Sequence, residues 1–115
     1  MKKIEAIIRK SQFDEVTEAL HEVGIDFFTY WDVTGVGNEK LGAVYRAVVY
    51  ETRLIERRTI SCVCRDKFVD AATQAIVKAA RTGEMGDGKI FISTIDESVR
   101  IRTGEKGPES LYIKE

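Results

Sequence analysis

Thr59-Ile60-Ser61-Cys62-Val63-Cys64 is followed by Arg65-Asp66-Lys67-Phe68-Val69-Asp70-Ala71-Ala72-Thr73-Gln74-Ala75-Ile76-Val77-Lys78-Ala79-Ala80, then by Thr82-Gly83-Glu84-Met85-Gly86-Asp87-Gly88 and Lys89-Ile90-Phe91-Ile92-Ser93-Thr94-Ile95. The first piece alternates with the period of two that marks a strand. In the second, Phe68, Val69, Ala72, Ile76 and Ala80 fall on one face of a helix, with Asp66 as its candidate cap. The third is a glycine turn, and the fourth alternates again as a strand. Together they predict a strand–helix–strand unit.

Working outward, the N-terminal half repeats this plan. Residues 2–9 place Ile4, Ala6 and Ile8 on one face and Glu5, Ile7 and Arg9 on the other, as a strand does. Ser11 stands three residues before Asp14, close to a capping box. Phe13, Val16, Leu20 and Val23 follow at helical spacing, and Gly24 supplies a C-terminal stop. A second strand is expected from Asp26 to Thr34, rich in aromatic and β-branched residues. Two such halves predict an α+β, ferredoxin-like βαββαβ fold, an antiparallel sheet with both helices on one face. The other face is left uncovered, and in so short a chain it most simply buries itself against other copies.

Between the halves, Gly35-Val36-Gly37-Asn38-Glu39-Lys40-Leu41-Gly42 is expected to break regular structure. Ala43 to Arg58 mixes strand formers with many charges, so a long loop is predicted between strands 2 and 3. Loops of that length are usually functional or disordered.

At 115 residues the chain is the size of one domain, taken here as residues 1–115. Its net charge of −1 gives no overall field toward nucleic acid or anionic lipid, so local clusters must carry any anion binding. Glu5 and Arg9 interrupt the only run resembling a signal peptide, and no window reaches membrane-span length. A cytoplasmic location is expected. Cys62 and Cys64 share a strand face, a poor disulfide geometry, and are read as reduced core thiols. His21, the one histidine, is read as a solvated helix residue.

Three segments could carry chemistry. In Thr82–Lys89 the glycines let backbone amides approach a phosphate and Lys89 adds a point charge. It lacks P-loop spacing, and on spacing alone a plain tight turn is the favoured reading. In Arg100-Ile101-Arg102-Thr103-Gly104-Glu105-Lys106-Gly107, alternation puts both arginines on one side of an extended segment, suited to phosphates or carboxylates; a solvated basic tail is the alternative. The middle loop offers Tyr45, Arg46 and Tyr50, residue types enriched in interface hot spots. No Ser-His-Asp set or carboxylate pair argues for an enzyme.

Three blocks resemble the PII nitrogen-regulatory signal-transduction family, in order and at its spacing. They are Met1-Lys2-Lys3-Ile4-Glu5-Ala6-Ile7-Ile8-Arg9, the run Ala80-Arg81-Thr82-Gly83 through Gly86-Asp87-Gly88-Lys89-Ile90-Phe91, and Val99-Arg100-Ile101-Arg102-Thr103-Gly104-Glu105. The resemblance implies a homotrimer that binds ATP or ADP in the clefts between neighbours and signals by docking. Its T-, B- and C-loops would map to about residues 37–54, 81–89 and 100–107. Gly86, Asp87, Gly88 and Lys89 would cradle the phosphates, with Arg100 and Arg102 reaching them from the next subunit. Thr29 and the backbone near Val63 would hold the nucleoside. Gly35, Gly37, Asn38 and Glu39 would border the nucleotide at the T-loop base. Glu39, Lys40 and Arg57 would serve 2-oxoglutarate, with Glu39 a ligand of Mg²⁺.

The resemblance further implies that Tyr45, Arg46 and Tyr50 dock on a partner, with Tyr50 a possible uridylylation site. The partner would be an ammonium transporter, which would recruit the protein to the inner membrane face, or alternatively a nitrogen-assimilation or nitrogen-fixation enzyme. The chain departs from the family pattern in several places. Glu39 replaces the usual glutamine, Arg57 stands where lysine is common, and Glu51 to Arg58 is more charged than usual.

Overall fold

The computed structural model describes residues 1–40 and 50–111, with side chains from 1–37 and 54–111. Strand β1 is Lys2–Ile8, α1 Phe13–Glu22, β2 Thr29–Lys40, β3 Tyr50–Cys64, α2 Asp66–Ala80 and β4 Gly88–Thr94. Short 3-10 turns lie at Lys10–Gln12 and Pro108–Leu111. The sheet has the order β2-β3-β1-β4, and every neighbouring pair is antiparallel. This is the predicted ferredoxin-like βαββαβ arrangement.

The register explains which face is buried. Ile4 lies opposite Cys62 and Ile92, and Ala6 opposite Ile60 and Ile90, so one set of alternating residues shares a face. Ile4, Ala6, Ile8, Ile60, Cys62 and Cys64 pack there against Val16 and Leu20 of α1 and Ala72, Ile76 and Ala80 of α2. Each fully buried aliphatic side chain contributes about 1.5–3 kcal/mol. Cys62 and Cys64 are buried free thiols, and burial pushes the Cys62 thiol up to about 11, so neither is poised to react. On the other sheet face Trp31 and Phe91 stay about half exposed. His21 is solvent-exposed, as expected, and contacts the Asp26 carboxylate.

Several boundaries differ from expectation. Helix α1 is not capped by Ser11, whose hydroxyl turns to Gln12; a 3-10 turn leads into the helix instead. Gln12 joins the two helices by donating to the Ala79 carbonyl, 3.1 Å. The C-terminal stop is as predicted: Gly24 has φ 91°, its amide donates to His21 and that of Ile25 to Leu20, a Schellman pattern. Asp66 is the first residue of α2 and not its cap; its carboxylate meets the Met1 amine at 3.0 Å.

The largest correction concerns the middle of the chain. Strand β2 starts at Thr29, not Asp26, and the glycines do not end it; it runs through Gly35 and Gly37 to Lys40. Strand β3 starts at Tyr50 and not at Thr59, and pairs in register from Lys40↔Tyr50 to Thr29↔Ser61. The glycines are in extended backbone because a partner strand supplies the ladder and Ile55 crowds them. A Cβ at Gly37 would stand 3.0 Å from Ile55 Cδ1. Since β1 pairs only as far as Arg58, the rungs from Val33↔Arg57 outward form a two-stranded stem beyond the sheet. Of the long loop predicted between the strands, residues 41–49 lie outside the described residues. Tyr45 and Arg46 lie outside the described residues.

The stem's root is fixed on the helix side. Arg58 packs over the rings of Phe13 (4.6 Å) and Tyr30 (5.2 Å), and its Nε donates to Asp32 Oδ1 at 2.7 Å. That hydrogen bond holds the Asp32 carboxyl below the usual range. Lys10 Nζ adds contacts to Asp32 (3.6 Å) and Glu56 (3.8 Å).

Candidate anion-binding loop at the end of the sheet

The turn from α2 into β4 is organised by Asp87. Its Oδ2 accepts from the amides of Thr82 and Gly83, both at 2.9 Å, and its Oδ1 accepts from the Thr82 hydroxyl. Arg9 Nε donates to the same Oδ1 at 3.2 Å. The Thr82 hydroxyl bond leads a set that holds the Asp87 carboxyl far below the usual carboxylate range. The carboxylate is therefore spent on shaping the loop. It would be a poor direct neighbour for a phosphate, which the loop amides and Lys89 suit instead.

Two guanidinium groups secure the loop's tip. Arg9 Nη2 donates to the Met85 carbonyl at 2.9 Å, and Arg57 Nη2 donates to the Gly86 carbonyl at 3.0 Å. The Met85 carbonyl shares its peptide plane with the Gly86 amide, and the amides of Met85 and Gly86 donate to no acceptor among the described residues. Unpaired successive amides beside a lysine are an anion-binding arrangement. Glycine is required at both key positions. Gly86 has φ 95°, and a Cβ there would stand 3.1 Å from the Arg57 guanidinium. Gly88 has φ 111°, and its Cβ would meet the Ile7 carbonyl oxygen at 1.8 Å.

The loop opens onto a cavity of ≈ 500 Å³ bordered by Gly35, Ile55, Arg57, Gly86, Gly88 and Lys89, among others. The structure therefore brings together the glycine turn, Lys89, Gly35 and Arg57. It does not bring in the rest. Thr29 lies six residues down β2 from Gly35, about 20 Å away along a strand. Its hydroxyl reaches toward the Ser61 carbonyl at 3.5 Å. Val63 lines a separate small cavity with Gly24 and Phe27. Asn38, Glu39 and Lys40 continue β2 outward, with Glu39 opposite Glu51 and Lys40 opposite Tyr50.

The arginine pair departs from its predicted geometry. Residues 99–107 are not extended but fold into a turn, closed by the Val99↔Lys106 bridge and by the Arg100 amide donating to Glu105 at 2.8 Å. Arg100 is mostly buried, pairs with Glu105 at 3.1 Å and donates to the Glu109 carbonyl at 3.0 Å. Arg102 is exposed at the turn's tip. Neither arginine lines the cavity of its own chain. Reading the sequence alone missed the roles of Arg9 and Thr82. Arg9 has no local signal, since its partners lie more than seventy residues away. Thr82 had one: a threonine five residues before an aspartate across a glycine turn.

A ferredoxin-like domain with a glycine-turn anion cradle at one end of its sheet is the class this geometry defines. The family model described as nitrogen regulatory protein P-II matches residues 1–105. The nitrogen regulatory protein P-II of Azospirillum brasilense is 47% identical over 112 residues, spanning 96% of this chain and all of that one. The structure of Bacillus subtilis GlnK in complex with ATP matches with a TM-score of 0.81 at 36% identity, covering 96% of each chain. Arabidopsis thaliana PII bound to citrate matches with a TM-score of 0.79 at 33% identity, covering 95% of this chain and 90% of that one. The chain belongs to the nitrogen regulatory P-II family.

Proposed function

We propose that this chain is a nucleotide-sensing regulator and not an enzyme. Three copies form clefts that take ATP or ADP, and the nucleotide state sets how the segment 41–49 docks on a partner. The observation that carries this reading is the loop at Gly86–Lys89, which borders one cavity with Gly35 and Arg57 and includes the Gly86 amide, unpaired among the described residues. The ATP bound to the related GlnK supports the choice of ligand. The separation of Thr29, Val63, Arg100 and Arg102 from that cavity supports a site finished by a neighbouring copy, and the exposed Trp31 and Phe91 supply an apolar face for such a neighbour.

Isothermal titration with ATP and ADP, with sedimentation on the same sample, tests this. One nucleotide per chain on a trimer is expected, and no binding at millimolar nucleotide would sink the reading. Repeating the ATP titration with Mg²⁺ and 2-oxoglutarate tests Glu39, Lys40 and Arg57, because a carboxylate at 39 ligates Mg²⁺ but repels the oxoacid unless the metal compensates. As the partner we favour an ammonium transporter at the inner face of the cytoplasmic membrane. Arg46→Glu should abolish its capture. The second reading, an enzyme of nitrogen assimilation or fixation contacted through Tyr45 and Tyr50, would survive that charge reversal.

A further inference from the structure

A cavity of ≈ 350 Å³ that the proposed nucleotide site does not use lies between the second half of α2 and the start of β4. Its size is within the range of small-molecule sites, about 300–1,000 Å³. The floor is apolar: Ile8, Ile76 and Ala80 are buried, and Ile90 packs beside them. Ala80 and Gly88 bring no bulk to the gap between helix and strand, which keeps it open. One edge is a stripe along α2, where Thr73, Val77 and Arg81 recur by four.

The polar groups of this wall lack partners. Among the described residues the buried Thr73 hydroxyl makes no hydrogen bond, and neither Arg81 nor Lys89 meets a carboxylate. A buried hydroxyl left unpaired in a native fold calls for a group to meet it. Asp87 also lines the cavity, but its oxygens already accept from Thr82, Gly83 and Arg9, so it is not free to take a ligand ammonium. Thr73 and Arg81 are eight residues apart on one helix, about 12 Å along its axis. The unpaired hydroxyl and the cations therefore mark opposite ends of an apolar trough.

We propose that this trough is a second ligand site, for an aliphatic chain with a carboxylate at one end and a hydroxyl at the other, of the length of 8-hydroxyoctanoate. The carboxylate meets Arg81, whose planar fork matches its two oxygens, with Lys89 adding a point charge. The chain covers Ile76 and Ile90, and the distal hydroxyl pairs with Thr73. Lys89 lines both this cavity and the one assigned to nucleotide, whereas Thr73 and Arg81 line only this one. The site stands whether or not the nucleotide reading does.

Calorimetric titration and amide NMR spectra of the full chain without nucleotide test the proposal, with 8-hydroxyoctanoate, octanoate and octane-1,8-diol as probes. One 8-hydroxyoctanoate per chain is expected, with shifts centred on Thr73, Arg81 and Ile90. The diol, which lacks the charge, should bind about tenfold more weakly, and Arg81→Gln should weaken 8-hydroxyoctanoate by a similar factor. Thr73→Val should remove the preference for 8-hydroxyoctanoate over octanoate. Arg81 is exposed and unpaired, so its variant should keep the urea midpoint of wild type. No saturable binding at millimolar probe would overturn the proposal, as would binding that Arg81→Gln leaves unchanged or a preference that survives Thr73→Val. Resonances of Thr73 and Arg81 that move on dilution but not with probe would assign the trough to a second copy of the chain, and would equally overturn it.

Discussion

The glycine loop at 82–88 and the turn at 99–107 both present cationic or amide groups for an anion, yet they are held in opposite ways. The turn is closed almost wholly by its own residues: Arg100 to Glu105, Gly104 to Arg100, and Glu105 to the Thr103 hydroxyl. The glycine loop combines a local device, Asp87 on Thr82 and Gly83, with two distant arginines, one just past β1 and one in β3, and a backbone packed against Ile7. A locally closed segment can be carried intact to another subunit. A loop built on three strands reports on the sheet beneath it.

The most severe break of that contrast is Gly88→Ala. The added Cβ has nowhere to go but into the Ile7 carbonyl, at a φ that alanine resists. Urea unfolding should show a loss of about 3 kcal/mol or more, or no folded protein. Gly104→Ala, at φ 74° with nothing within 4 Å, should cost much less.

Next comes Asp87→Asn, which leaves the backbone path intact but replaces a charged acceptor of four bonds. The amides of Thr82 and Gly83 should exchange about tenfold faster, and Thr82→Ala should raise the Asp87 carboxyl toward its ordinary value in a carbon-detected titration. The direction of the pH effect follows from the depressed native pKa. The contribution of Asp87 is complete above the unfolded-chain value of about 3.9 and is lost as pH falls from there through the native value. The glycine loop should therefore keep its order at pH 5, and acid should loosen it only at lower pH.

The smallest effect is expected at the turn. Glu105→Ala removes one partly exposed ion pair and should lower stability by under about 1 kcal/mol, measured by thermal melting. It should leave exchange in the glycine loop unchanged. A matching loss in both segments would erase the distinction between them.

The same distinction explains what the sequence made legible. The four strands and two helices could be read because periodicity is local: Ile4, Ala6 and Ile8 alternate, and Val16 and Leu20 recur by four. The glycine cradle could be read because its residues are consecutive. The stem could not. Gly35 and Gly37 in isolation predict a break, and Arg53, Glu56, Arg57 and Arg58 predict solvent, until each strand is given the other as its partner. Arg9 and Arg57 act through contacts 78 and 29 residues away, where no periodicity reaches. The arginine turn was misread for the reverse reason: alternation suggested a strand, while Gly104 and Gly107, both at positive φ, bend it back.

The stem has a mechanical consequence. Its eight rungs, from Val33 to Lys40, extend about 26 Å beyond the last strand of the main sheet at a strand's rise per residue. It is a cantilever clamped at Arg58, one residue inside its first rung. Tilting that root by about 10° would sweep the far end through between about 4 and 5 Å, on the same strand geometry. A displacement too small to matter within the sheet would be magnified at the stem's far end, so the long arm trades stiffness for gain.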